Sequence, residues 1–134
     1  MTGYASWDMQ KALYDALTGD ATLTGLITGV YDHVEQETAF PYVTIGESSI
    51  NAFDTKDTDG MEHILTINSW SRKRGRKEIK QIHAEIYRIL QNQNISISNQ
   101  HIILIQFDFE EIYLDPDGLT YHGVLRFRCL TQSN

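Results

Sequence analysis

Between two long runs of alternating residues stands Asp115-Pro116-Asp117-Gly118, and so short a link between two such runs leaves few folds open. Proline presets the first turn position and glycine accepts a left-handed backbone. Upstream, Ile103, Ile105, Phe107 and Phe109 share one face of a strand, while Tyr121, Leu125, Phe127 and Cys129 share one face of the next. The runs therefore read as an antiparallel hairpin. For the two apolar faces to coincide, the turn must hold an odd number of residues. A three-residue connection through Pro116-Asp117-Gly118 places Phe107 opposite Phe127 and Asp108 opposite Arg126.

A second hairpin precedes it. Pro41 cannot donate to a ladder, so a strand begins at or after it, with Tyr42-Val43-Thr44-Ile45, and runs to Phe53. The polar loop Asp54-Thr55-Lys56-Asp57-Thr58-Asp59-Gly60 turns the chain, and residues 62–71, with Ile64, Leu65, Ile67 and Trp70, return antiparallel. From Arg76 onwards Ile79, Ile82, Ile86, Ile89 and Leu90 recur at spacings of three and four, the pattern of an amphipathic helix. That stripe is expected to bury against the aromatic face of the last hairpin. Trp7, Leu13, Tyr14 and Leu17 predict an earlier helix, which Thr18-Gly19-Asp20 stops. Residues 21–29 read as a helical turn and loop, residues 30–34 as a short edge strand, and residues 91–100 as an amide-rich loop with a brief extended piece at 95–97. The order helix, hairpin, helix, hairpin predicts one α+β domain over residues 1–134. It is a two-layer sandwich in which two helices cover one face of an antiparallel sheet of about four main strands.

Composition excludes several classes. One cysteine among 134 residues rules out an internal disulfide, and two prolines leave little room for a stiff linker. The longest apolar run, residues 102–105, is far too short to span a bilayer. A polar start at residues 1–10 without a basic or apolar leader segment points to a cytoplasmic product. The sequon Asn94-Ile95-Ser96 then has no consequence.

Catalytic constellations are missing as well. His33, His63, His83, His101 and His122 fall in five different elements without metal-ligand spacing, and scattered polar histidines explain them best. Asp57, Asp59 and Gly60 have the mutual spacing of a calcium loop. Yet Thr55 and Thr66 occupy the positions where a carboxylate and a bidentate glutamate are needed, so the loop reads as a solvated hairpin tip. No GxSxG, Walker or GxGxxG pattern occurs. Cys129 alternates with Phe127 and Leu125, which suits a packed thiol rather than a nucleophile. Glu110 and Glu111 point to opposite sides of a strand and make no catalytic pair. No cofactor is expected.

Charge is unevenly distributed. Eighteen acids and eleven bases give a net charge of −7, but residues 1–71 hold eleven acids against Lys11 and Lys56, a balance of −9, while residues 72–134 stand at +2. The extreme is residues 72–80, where Arg72, Lys73, Arg74, Arg76, Lys77 and Lys80 face one acid, Glu78. Cations at a helix N-terminus oppose its dipole and invite an anionic partner. A solvated turn, a phosphate-binding patch and a docking surface for an acidic protein are the three readings of this segment.

A set of motifs recurs in order: Val30-Tyr31-Asp32; Phe40-Pro41-Tyr42-Val43-Thr44-Ile45-Gly46; Trp70-Ser71-Arg72 with Gly75-Arg76-Lys77-Glu78; Asp115-Pro116-Asp117-Gly118; and His122-Gly123-Val124-Leu125-Arg126-Phe127-Arg128. The set spans about residues 30–130. It resembles the tail-completion or tail-terminator proteins of long-tailed bacteriophages, prophages and gene-transfer agents. Glu35 departs from the proline often found there in that family. The resemblance implies a structural virion protein without catalytic residues, assembling as a ring, typically hexameric, at the head-proximal end of the tail tube. There it ends tube polymerisation and joins the tail to the head connector. The implied partners are further copies of the chain, the tail tube protein and the head connector, with DNA passing through unread and no membrane involved. The implied place is the host cytoplasm during assembly, then the virion. Within that reading, Arg72, Lys73, Arg74, Arg76 and Lys77 on the basic turn and Asp54, Asp57 and Asp59 on the acidic loop are expected at a subunit or tail-tube contact, because unlike surfaces meet in a cyclic ring. The competing class is a nucleic-acid-binding module that uses residues 72–80, which steep salt dependence would betray.

Overall fold

The computed structural model describes residues 4–54, 56–57, 59–91 and 95–133. Along the chain run α1 (Ser6–Thr18), α2 (Ala21–Thr24), β1 (Val30–Tyr31), β2 (Tyr42–Ala52), β3 (Gly60–Ser71), α3 (Lys77–Gln91), β4 (Gln100–Leu114) and β5 (Tyr121–Ser133). One five-stranded sheet has the order β1-β2-β3-β5-β4. The α+β layering follows the sequence reading, with three corrections. The sheet has five strands rather than four, three helices rather than two, and a mixed rather than purely antiparallel ladder, because β1 pairs parallel to β2. Residues 32–41 carry the chain back to the start of β2, near the dozen residues a parallel crossover needs.

In α3, Ile79, Ile82, His83, Ile86, Ile89 and Leu90 are buried, as the spacing predicts. They pack over β3 and β5, whose inward positions Leu65, Ile67, Leu125, Phe127 and Cys129 are also buried. Each such aliphatic side chain contributes roughly 1.5–3 kcal/mol by leaving water. Helix α3 approaches β5 closely at Gly123, where a Cβ would stand 2.6 Å from Ile79 Cγ2. Burial pushes the Cys129 thiol up to about 12, which makes it a packing group.

The last hairpin reaches the expected Phe107–Phe127 pair by a different route. Backbone bonds from Asp115 N to Thr120 O (2.8 Å) and from Gly118 N to Asp115 O (2.9 Å) close a loop of four residues, not three. An even loop sets Phe109 opposite Arg126. A bulge at Asp108 then absorbs one residue and restores Phe107 opposite Phe127, so Asp108 does not face Arg126. The bulge also turns Phe109 to the outer face, where the Arg126 guanidinium lies 4.8 Å from its ring centre.

Helix α1 departs from its expected face. Ala5, Met9, Ala12, Leu13 and Leu17 are buried, whereas Trp7 and Tyr14 are 66% and 43% exposed. The face with Met9, Leu13 and Leu17 is the one that meets α2, α3 and the sheet margin, so Leu13 and Leu17 are buried as read while Trp7 and Tyr14 point away. Asp20 caps α2 by accepting from Leu23 N at 3.0 Å, and it also takes the Arg88 guanidinium at 2.8 Å, tying α2 to α3.

Candidate functional site

The basic turn is built where β3 hands over to α3. Ser71 Oγ donates to Glu78 Oε1 at 2.6 Å and accepts from Lys73 N at 3.2 Å, which folds the segment back on itself. Gly75 has φ +84°, a conformation that other residues resist, and Lys80 N reaches Arg76 O at 3.0 Å to begin the helical bonding. Two of the five expected bases are engaged within the chain. Arg72 Nε donates to Thr120 Oγ1 at 3.1 Å, its Nη2 lies 3.9 Å from Asp117, and its guanidinium sits 4.5 Å from the Phe40 ring centre. Arg76 lies over the Tyr121 ring at 5.5 Å. Lys73, Arg74 and Lys77 are exposed and form no ion pair among the described residues.

Asp117 organises the adjoining turn. Its carboxylate accepts from Leu119 N (2.8 Å), Thr120 N (2.9 Å) and Thr120 Oγ1 (2.7 Å), and these bonds, with Arg72 nearby, hold its pKa below the ordinary carboxylate value. Thus the Asp-Pro-Asp-Gly turn braces the basic cluster from the side.

The acidic loop lies at the other end of β3. Asp54 Oδ1 accepts from Gly60 N at 3.1 Å, and the Asp59 carbonyl accepts from Ser133 N at 3.0 Å. Asp57 is exposed, while Thr55, the first position of the rejected calcium loop, and Thr58 lie outside the described residues, as does Asn94 of the sequon. The twelve residues of β3 hold the two clusters about 36 Å apart at roughly 3.3 Å per residue. Within one chain the structure therefore does not bring Arg72, Lys73, Arg74, Arg76 and Lys77 to Asp54, Asp57 and Asp59; it sets them at opposite poles.

Three of the scattered histidines are held by partners within the chain, two of them buried and His122 half-buried. His63 is buried against Thr131 Oγ1 at 3.1 Å. His83 is buried in α3 and donates from Nδ1 to Glu110 Oε2 at 2.7 Å, with Nε2 set against the Gly123 backbone. His122 stacks on Trp70 with centroids 3.8 Å apart and bonds Asn68 Oδ1 at 2.8 Å and the Tyr113 hydroxyl at 2.6 Å. Desolvation lowers the pKa of all three. His33 and His101 are exposed. The stack continues across the open face of the sheet, with Tyr42 at 6.3 Å from Trp70 and Phe40 at 5.0 Å from Tyr42. Trp70 and His122 turn their faces to each other, which removes those ring faces as a platform for bases.

Sequence reasoning missed two apolar flanks. Tyr4 is exposed just ahead of α1, and on the helix Trp7 and Tyr14 stand exposed with Lys11 between them. Their positions, at spacings of three and four, form a second helical stripe that was merged with the buried one. Beyond α3, Tyr87 and Phe107 line a groove of about 450 Å³ with Lys80, His83, Ala84 and Glu110. Alternation placed Phe107 on one face with Ile105, which is buried, and could not show that Phe107 stays 42% exposed beyond the edge of α3.

Charge poles and uncovered aromatic flanks are surfaces of the kind that meet other proteins, and among the described residues no three His, Cys, Asp or Glu are grouped to hold a metal. Comparison narrows the class. A chain of the virion of a native gene transfer agent particle superposes with a TM-score of 0.89 at 22% identity, covering 98% of this chain and all of that one. The bacteriophage SPP1 gp17 structure superposes with a TM-score of 0.64 at 23% identity over 93% of this chain and 89% of its own. In sequence, the tail completion protein gp17 of Bacillus phage SPP1 is 24% identical over 130 residues, 97% of this chain and 96% of the relative. The model of the tail completion protein gp17 family matches residues 11–132, and the chain belongs to that family. The resemblance read from the motifs is confirmed, and the role is that of a structural tail-completion protein of a virion.

Proposed function

We propose that this protein caps the head-proximal end of a phage tail tube as a ring of identical subunits, six by the family resemblance, ending tube polymerisation and meeting the head connector. The observation that carries this reading is the placement of unlike charge at the two ends of β3. A basic pole of Lys73, Arg74 and Lys77, backed by Arg72 and Arg76, and an acidic pole of Asp54, Asp57 and Asp59 suit contacts with two different surfaces. In this reading those residues contribute to the subunit or tail-tube contact. The acidic excess lets DNA pass the ring without being gripped. No helix among the described residues is long and apolar enough to cross a membrane. Assembly takes place in the host cytoplasm and the product stays at the head-proximal end of the tail.

Arg72 and Arg76 lean on Phe40 and Tyr121, so reversing them tests folding and assembly together. Arg74→Glu with Lys77→Glu separates the two. The double variant should melt like the parent yet fail to cap, leaving overlong or headless tails in electron micrographs. High salt should slow capping of wild-type tails before it strips caps already formed. Normal capping by the variant, together with wild-type DNA binding that weakens steeply with salt, would replace this reading by the nucleic-acid alternative.

A further inference from the structure

The two apolar flanks sit on opposite sides of the helix layer. Helix α1 packs near β1 and β2 at one margin of the sheet, and α3 packs over β3, β5 and β4 at the other. The α1 stripe presents Trp7 and Tyr14, with Lys11 and Asp15 exposed beside them. Across the molecule, the groove holds Tyr87 (43% exposed) and Phe107 (42% exposed), flanked by Lys80 and Glu110. Four strand spacings separate β1 from β4, about 19 Å at roughly 4.8 Å each.

We propose that the occupant of this groove is the α1 stripe of a second copy of the chain, so that Trp7 and Tyr14 of one subunit seat against Tyr87 and Phe107 of the next. The inference rests on the ring reading above and names its contact. Both sides are aromatic, the residue class that dominates interface energetics. The groove offers Lys80 and Glu110, while beside Trp7 and Tyr14 stand Lys11, Asp15 and Asp32, so Lys11 can meet Glu110 and an aspartate can meet Lys80. Two different surfaces on opposite flanks cannot pair isologously; repeated head to tail they generate a closed ring or an open helix. The direction of growth runs across the sheet, perpendicular to the strands. The basic and acidic poles, which lie along the strands, are then left for partners above and below the ring. This separates two contacts that charge alone does not distinguish.

The test uses the full chain with and without tail tubes. Trp7→Ala changes a residue 66% exposed and should keep the parent melting temperature, whereas Phe107→Ala also loses ring contacts with Tyr87 and Phe127 and should melt somewhat lower; in both, subunit association should weaken by roughly tenfold or more at temperatures where the variant is folded. Mixing Trp7→Glu with Phe107→Glu should give dimers but no rings, because only one intact stripe–groove pair remains per couple. An Asp15→Cys/Lys80→Cys variant should give a ladder of disulfide-linked oligomers on oxidation, with the buried Cys129 silent. Arg74→Glu/Lys77→Glu should still form rings. If wild type forms rings and both alanine variants do so equally well, this contact is wrong while the ring stands. If wild type stays monomeric even on tail tubes, the ring reading falls and takes this contact with it.

Discussion

One methyl group at Gly123 tests how closely α3 lies on the sheet. An added Cβ would stand 2.6 Å from Ile79 Cγ2 and 2.7 Å from His83 Cε1 and Nε2. Carbon atoms rest comfortably about 3.5–4.0 Å apart, so relief requires α3 to move outward by about 1 Å. Two effects oppose each other in Gly123→Ala. Restricting the unfolded chain stabilises by roughly 0.4–1 kcal/mol. Overpacking a closed core destabilises by roughly 1–3 kcal/mol. The second should win, because Ile79 is fully buried and His83 is held by Glu110 at 2.7 Å, so neither side chain can turn aside cheaply. The net loss is then about 1–2 kcal/mol, or roughly 4–8 °C in melting temperature for a domain of this size. Thermal unfolding followed by circular dichroism reads the loss. The imidazole resonances of His83 should shift as well, since its bond to Glu110 is displaced with the helix. An unchanged or raised melting temperature would refute the close approach of α3 to β5.

Two further outcomes follow from the same packing. Ile86→Ala should destabilise by roughly 2–5 kcal/mol, since the surrounding core closes only partly over the lost carbons; a melt identical to wild type would mean that α3 turns its isoleucines elsewhere. Stability should also fall as pH drops below the ordinary histidine value of 6.5, because burial depresses His63, His83 and His122 in the folded state, although at His83 the bond to Glu110 opposes this. Between the folded and unfolded values the unfolded chain binds more protons, so the stabilisation is complete above 6.5 and is lost below it. Melting curves at about pH 7.5 and about pH 5.5 should differ in that sense, and coincident curves would contradict it.

Local periodicity decided what local periodicity can decide. The isoleucines of α3 announced both the helix and its buried face, because one strong stripe at spacings of three and four admits a single orientation towards a core. The long hairpins were legible for the same reason, and so was Cys129, whose neighbours alternate with a period of two. Helix α1 carries two stripes, Met9-Leu13-Leu17 and Trp7-Lys11-Tyr14. The apolar positions Trp7, Leu13, Tyr14 and Leu17 mix the two, and only the packing of α1 against α2, α3 and the sheet margin selects Leu13 and Leu17 for the core and leaves Trp7 and Tyr14 outside. The bulge at Asp108 was equally invisible: the turn holds one residue more than alternation asks for, and the strand gives that residue back, which sets Phe107 opposite Phe127. The parallel pairing of β1 and the burial of His63 and His83 depend on partners distant in sequence, Val43, Thr131 and Glu110. The charge clusters could be read directly from residues 54–59 and 72–80, but their opposition could not. It arises because β3 is one straight strand of twelve residues, and an extended backbone turns a gap in sequence into a distance in space.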